Sequence, residues 1–171
     1  MTDLIPKRIR WAVETLAVGP DERLLEIGGG PGVAASLVCK RLDRGSLLLI
    51  DRSATAIERT RRGNPAHLAA GRLTLETVDV ADFDPGKVRF DKVFAVNVNV
   101  FWTTPATEEL ARIRRALDHD GRLFLFYEAP SAARADQAVG RVVDALRGNG
   151  FEEPQVVSGS ATLAGCVAHL P

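Results

Sequence analysis

The sequence predicts a single α/β domain, a mostly parallel sheet with helices on both faces. Three observations carry this. Short apolar runs alternate with segments of helical spacing along most of the chain, the pattern of strand–helix units. One run, Ser46 to Ile50 (SLLLI), is apolar without alternation, as a strand covered on both faces must be. The chain then closes on two strand-like runs separated by Ser158-Gly159-Ser160, a link so short that the pair must be antiparallel. With 171 residues, one domain over 1–171 is expected, long enough to bury about 70% of the surface of the unfolded chain.

Each element follows from local pattern. Ile5, Ile9, Val13 and Leu16 share a helical stripe, and Gly19-Pro20 ends it. Arg23 to Ile27 (RLLEI) is strand-like and stops at three glycines; Val33, Leu37, Val38 and Leu42 resume helical spacing. SLLLI ends at Asp51, and Ser53 caps a helix running to Arg62. Leu73 to Val78 (LTLETV) is the third strand and ends at Asp79, while the polar stretch from Ala81 to Phe90 holds at most a helical turn. Lys92 to Val96 (KVFAV) starts the fourth strand. Thr104 is expected to cap the next helix, with Pro105 at its first position, Glu108 and Glu109 in its first turn, and a stripe of Leu110, Ile113 and Leu117. Asp120-Gly121 turns into a fifth strand, Arg122 to Phe126 (RLFLF). Pro130-Ser131 opens a helix with the stripe Val139, Val142, Val143 and Leu146, which Gly148 and Gly150 end. Gln155 to Val157 and Leu163 to Ala168 form the closing hairpin.

Composition narrows the function. Lys plus Arg and Asp plus Glu each number 22, so the net charge is zero. Such a chain lacks the overall pull toward phosphate backbones or anionic lipid; neither nucleic acid nor membrane is expected as a partner. Cys39 and Cys166 have neither metal-ligand spacing nor a disulfide framework. Both read as small buried thiols in a reduced, cytoplasmic setting. The segment MTDLIPKRIRW is charged and lacks a signal-peptide core. No apolar run approaches the 18 or so residues that span a bilayer.

The strongest chemical signal is LLEIGGGPGV, with Glu26, Gly28, Gly30 and Gly32 at every second position. Glycines there let the backbone pass close to a ligand, and the following helix offers free N–H groups. The motif acidic-x-Gly-x-Gly-x-Gly resembles that of the class I S-adenosylmethionine-dependent methyltransferases, and the terminal hairpin is similar to theirs. The likeness runs from Arg23 onward. It implies a Rossmann-like fold, a seven-stranded sheet in the order 3-2-1-4-5-7-6, and S-adenosylmethionine as cofactor. A nicotinamide-type Gly-x-Gly-x-x-Gly/Ala motif fails when started from Gly28, which puts Val33 last, and survives only when started from Gly30, which puts Ala35 last.

The resemblance implies a site. Glu26, Gly28, Gly30 and Gly32 would form the cofactor loop. Asp51, 19 residues after Gly32, would accept the ribose hydroxyls; Arg52 either stacks on the adenine or points to solvent. Asp79 would meet the adenine amino group, and the backbone of Val80 a ring nitrogen. Asn97, in NVNVFW after the fourth strand, lies where donor and acceptor should meet; the Asn/Asp-Pro-Pro-Tyr/Phe of amine-modifying members is missing. NVNVFW with the closing RLFLFYEAP resembles a set of small bacterial members. Trp102, Tyr127 and Glu128 complete the expected catalytic set with Asn97. No metal is expected. His67, His119 and His169 all fall at the amino edge of the sheet, away from this chemistry.

The expected function is methyl transfer from S-adenosylmethionine to a small-molecule acceptor. A non-catalytic protein binding S-adenosylmethionine or S-adenosylhomocysteine fits the same residues, and a nicotinamide-dependent oxidoreductase stands as a further alternative. Residues 1–22, with Arg8, Arg10 and Trp11, are the expected lid. So thin a cover suggests a homodimer or partner protein completing the site.

Overall fold

In the computed structural model, which describes residues 5–171, the chain begins with α1 (Lys7–Leu16), β1 (Arg23–Ile27), α2 (Val33–Cys39), β2 (Ser46–Asp51) and α3 (Ala54–Gly63). It continues through α4 (Pro65–Ala69), β3 (Leu73–Thr77), β4 (Phe90–Val96), α5 (Val100–Thr103) and α6 (Thr107–Ala116). β5 (Leu117–Glu128), α7 (Ala132–Gly148), β6 (Gln155–Ser158) and β7 (Leu163–His169) complete it. Residues 1–4 of the expected lid lie outside the described residues.

The seven strands form one sheet in the order β3-β2-β1-β4-β5-β7-β6, as the resemblance implied. β3, β2, β1, β4 and β5 run parallel, and β7 is antiparallel to both β5 and β6. Side chains alternate between the faces of each strand, so the sheet divides the core in two. On one face Leu24, Leu47, Leu49, Phe94 and Phe124 pack with Leu16 of α1, Val38 of α2 and Ile57 of α3. On the other, Leu25, Val93, Leu123 and Leu125 pack with Leu110 and Ile113 of α6 and Val142 and Leu146 of α7. No helix joins β3 to β4, so Leu48 and the outer residues of β3 stay partly exposed on that side.

Ser53 caps α3 as expected, and Ser131, expected to open α7, caps it as well. The Ser53 hydroxyl accepts from Ala56 N–H at 3.2 Å, and that of Ser131 from Arg134 N–H at 3.3 Å.

Other boundaries move. Leu42 is buried in the core but lies beyond the end of α2. Thr104 does not cap α6. Its hydroxyl donates to Val100 O at 2.9 Å and accepts from Ala106 N–H at 3.0 Å, closing the unforeseen α5. Ala106, at φ +50, then turns the chain, and α6 starts two residues past Pro105. Asp120-Gly121 is not a turn but the interior of β5. Leu117 pairs with Phe90, the register shifts, and pairing resumes at Lys92 and Arg122. A Cβ on Gly121 would lie 2.8 Å from Phe90 O, so the glycine serves close strand approach. The short α4, with Pro65 at its start, also went unforeseen.

The N-terminal helix packs into the core. Ala12, Val13 and Leu16 are buried against the sheet and α2. The Lys92 ammonium, 3% exposed, donates to Ala17 O at 3.0 Å and pairs with Glu22 at 2.7 Å, fastening the helix end to β4. Its first turn reaches the carboxyl edge, where Arg8 pairs with Glu128 at 2.9 Å.

Candidate functional site

The strand order reverses between β1 and β4. Connections leave such a point in opposite directions and open a crevice at the carboxyl ends of the strands. A cleft of about 370 Å³ lies there. Gly28, Asp51, Arg52, Asp79, Val80 and Asn97 line it, with the apolar Ile27, Ile50, Val78 and Val98. Four strands that are neighbours in the sheet thus deliver six of the expected cofactor residues to one place.

The glycines of the loop after β1 do different work. Gly28, at φ +67, donates its N–H to Ile50 O at 2.8 Å, and a Cβ there would fall 2.7 Å from Val98 Cγ2. Gly32, at φ +80, begins α2, and its Cβ would fall 2.7 Å from Thr60 Cγ2. Either site combines a left-handed backbone with a contact that only hydrogen permits. A Cβ on Gly30 would meet nothing within 4 Å; it faces open space. Asp51 joins loop to strand: its Oδ2 accepts from Gly30 N–H at 3.3 Å and its Oδ1 from Ser53 N–H at 2.8 Å.

Glu26 lies beneath the loop rather than in the cleft. Strand alternation puts it on the face of Leu24 and α2, where it is 3% exposed. Its Oε2 has no hydrogen-bond partner. Burial, with the Asp51 charge adding to it, pushes the carboxyl up to about 8. A buried carboxyl without a partner is costly and is suited to a cation or donor brought by a ligand. The thiols of Cys39 and Cys166 are buried and pushed up to about 12, which makes them poor nucleophiles.

Of the expected catalytic set, only Asn97 lines the cleft. It holds φ +55, a conformation Asn tolerates better than most residues. Its Oδ1 accepts from Glu128 N–H at 2.8 Å, and its own N–H donates to Phe126 O at 2.9 Å, tying the ends of β4 and β5 together. Glu128 is exposed, and its carboxylate engages Arg8. Tyr127 is 2% exposed within the core, its hydroxyl unpartnered and its ionisation pushed well up by burial. Trp102 packs edge-on against it at 4.5 Å and lines a separate groove beside Pro105, Arg141 and Asn149. Both aromatics were expected to face the acceptor; instead Trp102, on α5, packs onto the buried Tyr127 of β5.

His67 lies in α4 before β3, His119 in the first residues of β5, and His169 pairs with Arg122. All three stand at the amino edge, opposite the cleft.

Sequence reading missed Val98 and Glu109, which also line the cleft, and the buried Thr60 and Asn64 behind the loop. A signal existed for the last two. Ile57, Thr60 and Asn64 recur at helical spacing, so the inward stripe of α3 carries the polar Thr60 and runs on to Asn64 at its C-cap. Glu109 looked like a first-turn charge, and nothing local distinguishes it.

The residues fit S-adenosylmethionine on three observations: the unpartnered Glu26 Oε2, the open space over Gly30, and the Asp51 carboxylate at the rim. Comparison with known proteins agrees. The Bacillus subtilis (strain 168) protein YrhH, which carries a methyltransferase name, is 29% identical over 113 residues, 66% of this chain. The chain spans 61% of the length of that relative. Among solved structures, the fold is shared with an S-adenosylmethionine-dependent methyltransferase from Aquifex aeolicus (TM-score 0.78, 14% identity, 94% of this chain and 88% of that one). It is shared also with the N-methyltransferase NodS from Bradyrhizobium japonicum WM9 (TM-score 0.72, 17% identity, 96% and 95%). An S-adenosylmethionine-dependent O-methyltransferase from Thermotoga maritima has it too (TM-score 0.75, 12% identity, 100% and 68%). Residues 25–123, more than half of the chain and the stretch from β1 into β5, match the family described as Methyltransferase domain. With that match, the strand order and the glycine motif in agreement, the chain belongs to the class I S-adenosylmethionine-dependent methyltransferases.

Proposed function

We propose that this chain transfers the methyl group of S-adenosylmethionine to a small-molecule acceptor. The observation that best supports it is that Gly28, Asp51, Asp79 and Asn97 line one cleft at the switch point, with the unpartnered Glu26 carboxyl buried beneath the loop. Glu26 would meet the positively charged amino group, which recovers the cost of its unpaired oxygen. The backbone of Gly28, Gly30 and Gly32 would lie along the ligand. Asp51 would accept from the ribose hydroxyls, Asp79 from the adenine amino group, and Val80 would address the ring through its backbone. Arg52 would border the adenine.

The sulfonium supplies an already activated methyl group, so the work left to the chain is binding, alignment and exclusion of water. Alignment of this kind is worth up to about 7–11 kcal/mol of a barrier. Asn97 is the residue best placed to orient an acceptor. Its Oδ1 is engaged with Glu128 N–H, which leaves its amide nitrogen as the donor to offer. Glu128 would contribute a carboxylate beside the acceptor, with Arg8 holding it. Trp102 and Tyr127 would support this edge from below.

Calorimetric titration tests the reading. S-adenosylhomocysteine should bind and NAD should not; NAD binding without S-adenosylhomocysteine binding overturns it. Methyl transfer over a metabolite panel then separates an enzyme from a silent binder. The proposal also includes a cytoplasmic setting, a homodimer or partner protein completing the acceptor side, and no appreciable affinity for duplex DNA. The zero net charge supports the last of these. Among the described residues no helix is long and apolar enough to cross a membrane.

A further inference from the structure

We infer that Thr60 and Asn64, at the end of α3, are positioning residues that pre-set the glycine loop for the cofactor; the inference rests on the cofactor reading above. Thr60 is fully buried and Asn64 is 3% exposed. The Thr60 hydroxyl donates to Gly30 O at 2.9 Å. The Asn64 amide nitrogen donates to Gly32 O at 3.3 Å and to Thr60 O at 3.0 Å. Both of its partners are carbonyls, which sets the amide orientation: only the nitrogen can face them.

The loop is also pressed onto the same two side chains. A Cβ on Gly32 would fall 2.7 Å from Thr60 Cγ2 and 2.9 Å from Asn64 Nδ2. Gly30 is therefore held at both ends, its N–H by Asp51 and its carbonyl by Thr60. Glycine has more backbone freedom to lose than any other residue. A loop ordered in advance does not charge that loss against ligand binding. The Thr60 bond also keeps the Gly30 carbonyl from swinging into the open space beside it.

Asn64 carries a cost that points the same way. Its Oδ1 is buried without a partner, a destabilising arrangement. An alanine would remove that cost, and with it the donor to Gly32. Asn64 also sits at the joint between α3 and α4, where its carbonyl accepts from Leu68 N–H at 3.1 Å, so the joint itself bears on the loop.

Thr60→Val keeps the shape and removes the donor, whereas Thr60→Ser keeps the donor. Three measurements on the full chain decide: S-adenosylhomocysteine affinity by calorimetry, ligand-free amide exchange over residues 28–33, and the urea midpoint. Thr60→Val should weaken binding by about tenfold at a temperature where the protein is fully folded, and should speed exchange in the loop. Thr60→Ser should restore both. A Thr60→Val protein that is less stable yet binds and exchanges like wild type overturns the inference, since Thr60 then serves packing alone. A wild type that binds no S-adenosylhomocysteine overturns the cofactor reading instead. Loop exchange then still decides: faster in Thr60→Val supports the fastening, and unchanged refutes it. Should Thr60→Val fail to fold, Asn64→Ala carries the same measurements with the same expected directions.

Discussion

Replacing Glu26 by glutamine should change how stability depends on pH. The carboxyl is buried, and it moves from an ordinary value of 4.5 to about 8 on folding. Below pH 4.5 the folded and unfolded chains both hold the proton. Between 4.5 and 8 only the folded chain holds it, so the folded state binds more protons and stability falls as pH rises. The slope is about 1.4 kcal/mol per pH unit for one group. Glutamine mimics the protonated acid and does not titrate. From pH 5.5 to pH 7.5 the stability of Glu26→Gln relative to wild type should therefore rise by roughly 2–3 kcal/mol. Urea unfolding of both proteins at several pH values measures this, and the comparison cancels titrating groups common to the two. Parallel stability curves would refute the reasoning, because Glu26 would then ionise alike in both states. S-adenosylhomocysteine affinity should fall in the same variant, since glutamine brings no negative charge to the ligand amino group.

Asp51→Ala should weaken S-adenosylhomocysteine binding by roughly 10- to 100-fold in calorimetry, through loss of charge-assisted bonds worth about 1.5–3 kcal/mol each; an unchanged dissociation constant would remove Asp51 from the site. Asn97→Ala should be less stable than Asn97→Gly by about 1 kcal/mol in urea unfolding, because the backbone there holds φ +55 and only glycine takes it without strain. Both variants should lose turnover with any identified acceptor if the Asn97 amide orients it. Alanine variants of His67, His119 and His169 should keep near-wild-type turnover, as all three lie at the amino edge; a large loss in one of them, with folding and cofactor affinity intact, would contradict this.

Much of the architecture was legible because it is encoded locally. Strand runs, helical stripes, the Ser53 and Ser131 caps and the hairpin link are patterns of a few neighbouring residues, and each lies close to where it was expected. The glycine loop and Asp51 were legible for the same reason. A strand end, a left-handed backbone and a following helix leave a contiguous signature. Other features were set by partners far along the chain. Phe90 drew Leu117 into β5 and carried Asp120-Gly121 into the strand. Thr104 found its acceptor in α5, so α6 began later. Arg8 reached Glu128 across 120 positions, and Trp102 and Tyr127 met in the core. Period and turn chemistry specify an element and its inward face, but not which distant element covers that face. That choice belongs to the tertiary packing, where burial and hydrogen-bond satisfaction must be met by the whole chain at once.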